Sequence, residues 1–162
     1  SHQQGIIHGD LNPENIFLCS GQQVKVTGFG LATAEKVLRE TSSSFGEEPS
    51  PYLSPEQYAG EAPNEQSDIF SLGIVILELL TGVSPDEIKQ GSPKDLLNAF
   101  EKSPREIPES FHGPLVSAIE GETTRRFLSP VAFRSAMNPE TPQENARNNN
   151  MDFNPKNRTT RF

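Results

Sequence analysis

The sequence has almost no cysteine and no long apolar run. Its 162 residues include one cysteine, Cys19, which excludes an internal disulfide framework and a zinc cluster of several thiolates. No stretch approaches the roughly 20 apolar residues that a membrane span requires. The N-terminal residues 1–4 lack the basic start and apolar core of a secretory signal peptide. These absences predict a soluble intracellular protein without a membrane partner, cytoplasmic by default, with a nuclear location left open.

Basic residues are also scarce. Lysine and arginine number 14 against 22 acidic residues, a net charge of -8, and residues 1–133 hold only 9 of these cations against 19 anions. Because duplex binding needs clustered basic side chains, we expect no nucleic-acid partner for this body. The end of the chain is mildly basic, rich in asparagine and nearly free of aliphatic residues. Burial there cannot offset the ordering entropy, so residues 138–162 are predicted to form a disordered polar tail, with a nucleic-acid-binding tail as the alternative.

Hydrophobic patterning predicts mostly helices. Residues 16–26 hold two short β-prone runs around a polar turn, which is typical of a hairpin. The stretch from Ile69 to Leu80 is apolar on every face and predicts a fully buried helix that ends at Gly82. Two further amphipathic faces follow, one formed by Leu96, Leu97 and Phe100 and the other by Leu115, Val116 and Ile119.

A repeated pattern marks the predicted helix starts. In this pattern serine is the N-cap, proline is the first helical residue and an acid or amide is the third helical residue. This pattern begins at Ser54, Ser84, Ser92 and Ser103, and Ser129-Pro130 opens a last helix. Proline-directed phosphorylation is the alternative interpretation of the Ser-Pro pairs. The predicted fold class is therefore mainly α, a helical bundle with one small β-hairpin.

Three motifs occur in a recognisable order. They are His8-Gly9-Asp10-Leu11-Asn12-Pro13-Glu14-Asn15, then Gly28-Phe29-Gly30, then Tyr52-Leu53-Ser54-Pro55-Glu56 followed by Asp68-Ile69-Phe70-Ser71-Leu72-Gly73. Together they resemble the catalytic loop (8–15), the activation segment (28–56) and the central buried helix (68–81) of eukaryotic protein kinases. Pro13-Glu14 follows the serine/threonine pattern. Within the family, the motif sequences are most similar to those of the stress-activated kinases of translation initiation, with NIMA-related kinases as a weaker match.

The resemblance implies a role for each matching residue. Asp10 matches the proton acceptor, here vestigial, and Asn15 matches a magnesium ligand and hence a cofactor-binding residue. The structural matches are His8 packed on Phe29, Asp68 bonded to the catalytic-loop backbone, and Glu56 paired with an arginine, for which we predict Arg126. The alternative interpretation, without a metal, is that Asp10 is a loop carboxylate that accepts hydrogen bonds from backbone N–H groups and that Asn15 stabilises a turn.

Departures from the family pattern fall on the chemistry. Gly28 stands where the family has its metal-binding aspartate, so Asn15 alone would hold magnesium. Gly9 replaces the arginine that grips an activation-segment phosphate, Asn12 replaces a phosphate-neutralising lysine, and Pro49 replaces a threonine. The candidate phosphorylation sites Thr41, Ser42, Ser43 and Ser44 therefore lack a matching clamp, and a floppy polar stretch is the other interpretation.

The resemblance covers the C-terminal lobe of the family's α+β fold, predicted here as residues 1–137. ATP and magnesium are the family's cofactors, but we expect none on this chain alone, because the glycine-rich strand and the ATP-anchoring lysine would lie upstream. The prediction is an inactive pseudokinase-type module that binds a protein: a kinase, a regulator or a substrate. The alternatives are a truncated record of an active serine/threonine kinase and a gene remnant that does not fold.

Overall fold

The structure is a computed structural model that describes residues 6–30, 50–85, 95, 98, 101–102 and 108–138. Several predictions lie outside these residues: the phosphorylation sites at 41–44, Pro49, the helix starts at Ser92 and Ser103, the face formed by Leu96, Leu97 and Phe100, and the tail from 139 onward. Within the described residues the fold is mainly helical with one two-stranded sheet. The predicted fold class is confirmed.

The hairpin lies where its pattern predicted it. Strand β1 spans Ile16–Cys19 and strand β2 spans Gln23–Val26, and they pair antiparallel with Ile16 opposite Val26. A single 3-10 turn over Ser20–Gln22 joins them, and Gly21 adopts a φ of 75° there. This left-handed conformation suits glycine, because a Cβ would be strained at that angle.

In the part of the chain that the structure describes, the α-helices with defined bounds after the hairpin are α1 (Pro55–Tyr58), α2 (Glu65–Thr81), α3 (Glu109–Ala118) and α4 (Pro130–Met137). Ser54 and Ser129 are the N-caps of α1 and α4, as their Ser-Pro patterns predicted. Ser54 and Gln57 form a capping box at α1.

Helix α2 is the buried centre of the fold, and it begins three residues before the predicted Asp68. Asn64 caps it by accepting from the Ser67 N–H, and the Ser67 hydroxyl accepts from the Asn64 N–H in return. The first turn is polar, so the apolar run gave no sign of it, and the predicted start was late for that reason. At the other end Gly82 has a φ of 71° and closes the helix as predicted.

The core forms where α3 and α4 pack on α2. Its buried members are Ile69, Phe70, Ile74, Leu77, Leu115, Ala118, Ile119 and Phe133. None of the helices in the part of the chain described by the structure is long and apolar enough to cross a membrane. The first turn of α2 lies at one end of this core and carries the polar residues around which the candidate site is built.

Candidate functional site

The loop at 8–15 is anchored to the first turn of α2 by one buried carboxylate. Asp68, only 3% exposed, accepts from the His8 N–H at 2.9 Å and from the Gly9 N–H at 2.8 Å. These bonds join residues about 60 positions apart and compensate part of the cost of burying the charge. The structure therefore brings Asp68 to the loop backbone that the resemblance assigned to it.

His8 links the loop to the residues after the hairpin. Its Nε2 donates to the Thr27 carbonyl at 2.6 Å, which leaves Nδ1 to accept from the Asp10 N–H at 3.2 Å. This pair of bonds requires the neutral tautomer with its proton on Nε2. The ring also lies against Phe29, with centroids 4.6 Å apart. The predicted contact between His8 and Phe29 is present.

Asp10 lies among side-chain amides. Asn12 Nδ2 lies 3.1 Å from one carboxylate oxygen, and Asn15 Nδ2 lies 3.2 Å from the other and 2.9 Å from the Asp10 carbonyl. Since both acceptors of Asn15 are oxygens, only the nitrogen of its amide can face them. Our interpretation of Asp10 as an acceptor of backbone N–H groups differs from these contacts, which come from two asparagine side chains.

Asn15 fills the space next to Gly28. Gly28 has a φ of 83°, and a Cβ built on it would lie 2.8 Å from Asn15 Oδ1 and 2.9 Å from Asn15 Cγ. Real Cβ atoms almost never come so close to another heavy atom. A side chain at position 28 would therefore require the end of the Asn15 side chain to shift.

These residues do not fit a magnesium ion. Magnesium requires oxygen ligands in near-octahedral geometry, commonly one or two carboxylates. Gly28 supplies no carboxylate, and Asn15 directs its nitrogen, a donor, toward Asp10. Among the residues that the structure describes, no group of three or more histidine, cysteine, aspartate or glutamate side chains is arranged to hold a metal. Beside Gly28, Asn15 Oδ1 is therefore the side-chain oxygen that could contact a magnesium ion.

A buried ion pair links this region to a residue much later in the chain. Arg126 Nη1 lies 2.7 Å from Glu56 Oε1, and Nη2 lies 2.9 Å from Oε2, which is a bidentate pairing. The guanidinium also donates to the carbonyls of Gln66, Glu120 and Gly121. The predicted partners therefore meet, across 70 residues.

The electrostatics of Glu56 reflect this environment. Burial alone raises the pKa of Glu56, but bonds from Arg126 and Ser67, a bond from its own backbone and the charge of Arg126 outweigh it, and the pKa falls from 4.5 to about 2. Glu56 is thus ionised at neutral pH. Its position at the second residue of α1 also places a negative charge at a helix N-terminus.

The contact that Gln57 makes in the site was also not predicted. Gln57 Nε2 donates to the Gly9 carbonyl at 2.7 Å, while its Oε1 accepts from the Ser54 N–H and hydroxyl. In the sequence Gln57 appeared only as the third residue of a helix start. The available signal was its amide, because the common glutamate at this position would have no hydrogen to donate.

The comparisons with known proteins agree with the geometry. A family model for the protein kinase domain matches residues 1–147. The probable serine/threonine-protein kinase PknB of Lactococcus lactis is 36% identical over 135 residues, covering 78% of this chain and 21% of that protein. PknB of Mycolicibacterium smegmatis is 44% identical over 90 residues, covering 52% of this chain and 14% of that protein. The tyrosine-protein kinase MasK of Myxococcus xanthus is 33% identical over 140 residues. The chain thus spans about a fifth or less of the length of these relatives.

Proposed function

This chain belongs to the protein kinase domain family, and we propose that it is the C-terminal lobe of a serine/threonine-type domain that transfers phosphate poorly or not at all and acts by binding another protein. The family implies ATP and magnesium as cofactors. The serine/threonine assignment draws support from Pro13-Glu14 and from the two PknB relatives. The more specific similarity to the stress-activated kinases of translation initiation is part of the proposal and rests on the motif sequences alone.

The observation that carries the proposal is the packing of Asn15 against Gly28. Phosphoryl transfer needs a divalent ion that neutralises charge as it builds on the phosphates. At Gly28 there is no carboxylate, and the Asn15 amide, which is bonded to Asp10, lies directly beside it. Losing a single charge-stabilising group commonly slows a reaction by about 10²–10³-fold. We expect at least that reduction here.

The retained scaffold supports the binding half of the proposal. The anchoring contacts made by Asp68, His8, Glu56 and Arg126 are all present, although none of them requires nucleotide. A lobe that keeps its architecture without its metal ligand can still present its surfaces to a kinase, a regulator or a substrate protein. A phosphate on Thr41 or Ser42–Ser44 would change the charge of such a surface. It would not be bound by the catalytic-loop arginine of the family, because Gly9 stands in its place.

Phosphate transfer by the longest product of the transcript tests the proposal, because that product includes any upstream nucleotide-binding lobe. We expect transfer to a peptide no faster than in Asp10→Asn, and no change in melting midpoint with magnesium and ATP. Gly28→Asp supplies the missing carboxylate and is expected to gain a magnesium-dependent rise in melting midpoint, whereas the control Gly28→Ala is not. Clear Asp10-dependent transfer by the unmodified protein overturns the proposal.

An active kinase is the second candidate, favoured by one observation. Asp10 and Asn15, which match the family's proton acceptor and one metal ligand, still lie within hydrogen-bond distance of each other. Sequencing the transcript upstream of Ser1 for a glycine-rich loop and a strand lysine discriminates between the candidates in part. Their presence together with Asp10-dependent transfer establishes the active kinase, and their absence removes it.

A further inference from the structure

We propose that Gln57 is a positioning residue that fixes the catalytic loop against helix α1 through the Gly9 carbonyl. The bond from Gln57 Nε2 to this carbonyl is 2.7 Å long and joins residues 48 positions apart. It is a direct hydrogen bond between α1, at the end of the activation segment, and the loop that carries Asp10. The inference concerns loop geometry and holds whether the domain is active or inactive.

Gly9 is the residue that needs such a contact. Its φ of 78° lies in the left-handed region, and the residue is buried. Glycine enters this region without strain but also leaves it easily, since it has the greatest backbone freedom. Two bonds hold it there: Asp68 accepts from its N–H at 2.8 Å, and Gln57 donates to its carbonyl at 2.7 Å. Both polar groups of Gly9 are therefore fixed, each by a different helix.

The orientation of Asp10 follows from this arrangement. The Gly9 carbonyl belongs to the peptide group that also contains the Asp10 N–H, which donates to His8 Nδ1. Fixing that plane at its oxygen by Gln57 and at its nitrogen by His8 sets where the Asp10 side chain starts. Gln57 never touches Asp10 in this account and acts on it only through the peptide plane.

The residue type at position 57 supports the role. In a capping box the third helical residue needs only an acceptor, and Gln57 Oε1 provides it by accepting from Ser54. Glutamate would do this equally well and would also interact favourably with the helix dipole. The amide adds one property, a hydrogen-bond donor, and the structure places that donor on Gly9.

A consequence is that this contact needs no phosphorylation. Gly9 stands where the resemblance places an arginine that grips an activation-segment phosphate, and glycine has no group with which to do so. The bond from Gln57 is instead uncharged and present in the unmodified chain. We infer that the loop is held in this arrangement constitutively.

Gln57→Glu separates positioning from capping, because the two roles predict opposite outcomes. The variant keeps the cap acceptor but turns a donor into a carboxylate facing the Gly9 carbonyl. In the full chain we expect amide hydrogen exchange at Gly9 and Asp10 to become about 10-fold faster or more, with no change across the middle of α2. The control Gln23→Glu makes the same change in charge at an exposed strand position. Unchanged or slower exchange at Gly9 and Asp10 overturns the inference.

A second measurement needs no substitution. In the unmodified chain, the Gln57 side-chain amide proton that faces Gly9 is expected to exchange at least about 10-fold more slowly than those of the exposed Gln23. Equal rates would overturn the inference even if Gln57→Glu does not fold. Neither experiment measures phosphate transfer. A negative result for the Gln57 contact therefore does not refute the proposed function, and a refuted function does not refute the Gln57 contact.

Discussion

Arg126 shows how much of this fold depends on one side chain. Its guanidinium is 0% exposed, forms the bidentate pair with Glu56, donates to three carbonyls and lies 4.8 Å from the centre of the Phe70 ring. Arg125, its neighbour in sequence, instead forms an exposed pair with Glu122 at 2.9 Å. Two adjacent arginines thus differ almost completely in what surrounds their charge.

Replacing Arg126 is expected to be strongly destabilising. Arg126→Met leaves the Glu56 carboxylate buried without its partner, which costs about 3–5 kcal/mol of unfolding free energy. Arg125→Met removes only an exposed ion pair and should cost about 1 kcal/mol or less. Urea unfolding followed by circular dichroism measures both. Similar losses for the two variants would contradict this assignment of burial.

The Glu56 pKa predicts a dependence of stability on pH. Its folded value of about 2 lies below the ordinary 4.5, so the ionised carboxylate stabilises the fold above about pH 4.5. That contribution is lost as the pH falls from 4.5 through 2, and it amounts to about 3 kcal/mol. The free-energy advantage of the unmodified chain over Glu56→Gln should therefore shrink across this range in urea unfolding. A constant advantage would refute it.

For individual residues, the sequence predicted those contacts whose partners both belong to, or were assigned from, the recognised motifs. Asp68 with the loop, His8 with Phe29, and Glu56 with Arg126 were all named from the resemblance, and the structure brings each together. The amide contacts of Asn15 and Gln57 were not predicted. Their partners depend on how closely separate segments approach, and no spacing along the chain encodes that distance.

Helices α2 and α3 lie close together at a glycine. A Cβ on Gly73 would lie 2.9 Å from Ile119 Cγ2 and 3.1 Å from Ala118 Cβ. Glycine lowers helix stability by about 1 kcal/mol relative to alanine, so its presence in the middle of a helix needs a packing reason. The missing side chain lets α3 lie directly against α2.

Gly73→Ala should therefore destabilise the protein although alanine favours helices. Overpacking in a filled core costs about 1–3 kcal/mol, which exceeds or offsets the propensity gain of about 1 kcal/mol. The control is Gly121→Ala, where nothing lies within 4 Å of the new Cβ and φ is not positive. That change should be neutral or stabilising by up to about 1 kcal/mol. Thermal melts of the two variants decide, and a stabilised Gly73→Ala would contradict the close approach.

Elements were predicted well where apolar spacing or a cap residue marked them. The hairpin, the body of α2, and the starts of α1 and α4 all carry such signals. The start of α2 did not, because its first turn faces the polar site and not the core. Helix α3 contains Pro114, which its apolar pattern gave no means of placing within a helix.

At the scale of the whole molecule, the hairpin stands out among the described residues because several of its apolar side chains are exposed. Leu18 and its cross-strand partner Val24 are 85% and 59% exposed, and Phe17 is 51% exposed. The fold class and the central helix followed from the sequence, but this exposure did not, because alternation along a strand does not say whether anything covers its faces. Exposed apolar strands favour association between copies.

Leu18→Lys is expected to reduce concentration-dependent association of the chain, measured by sedimentation velocity. Its unfolding free energy should change by no more than about 0.5 kcal/mol, because Leu18 contributes little to the core. Ser20→Lys adds the same charge at an exposed turn position without removing apolar area, and it separates the two effects. If both variants reduce association equally, charge and not apolar surface is responsible.

The bond between Glu56 and Arg126 also limits how this protein can be shortened. Any splice form, proteolytic product or expression clone that stops before residue 126 deletes the counter-ion of a carboxylate 70 positions earlier. That carboxylate sits directly beside the turn from which Asp68 reaches the N-terminal loop. A deletion on the C-terminal side is therefore expected to disturb the loop at residues 8–15, and a stable fragment of this lobe is expected to need Arg126.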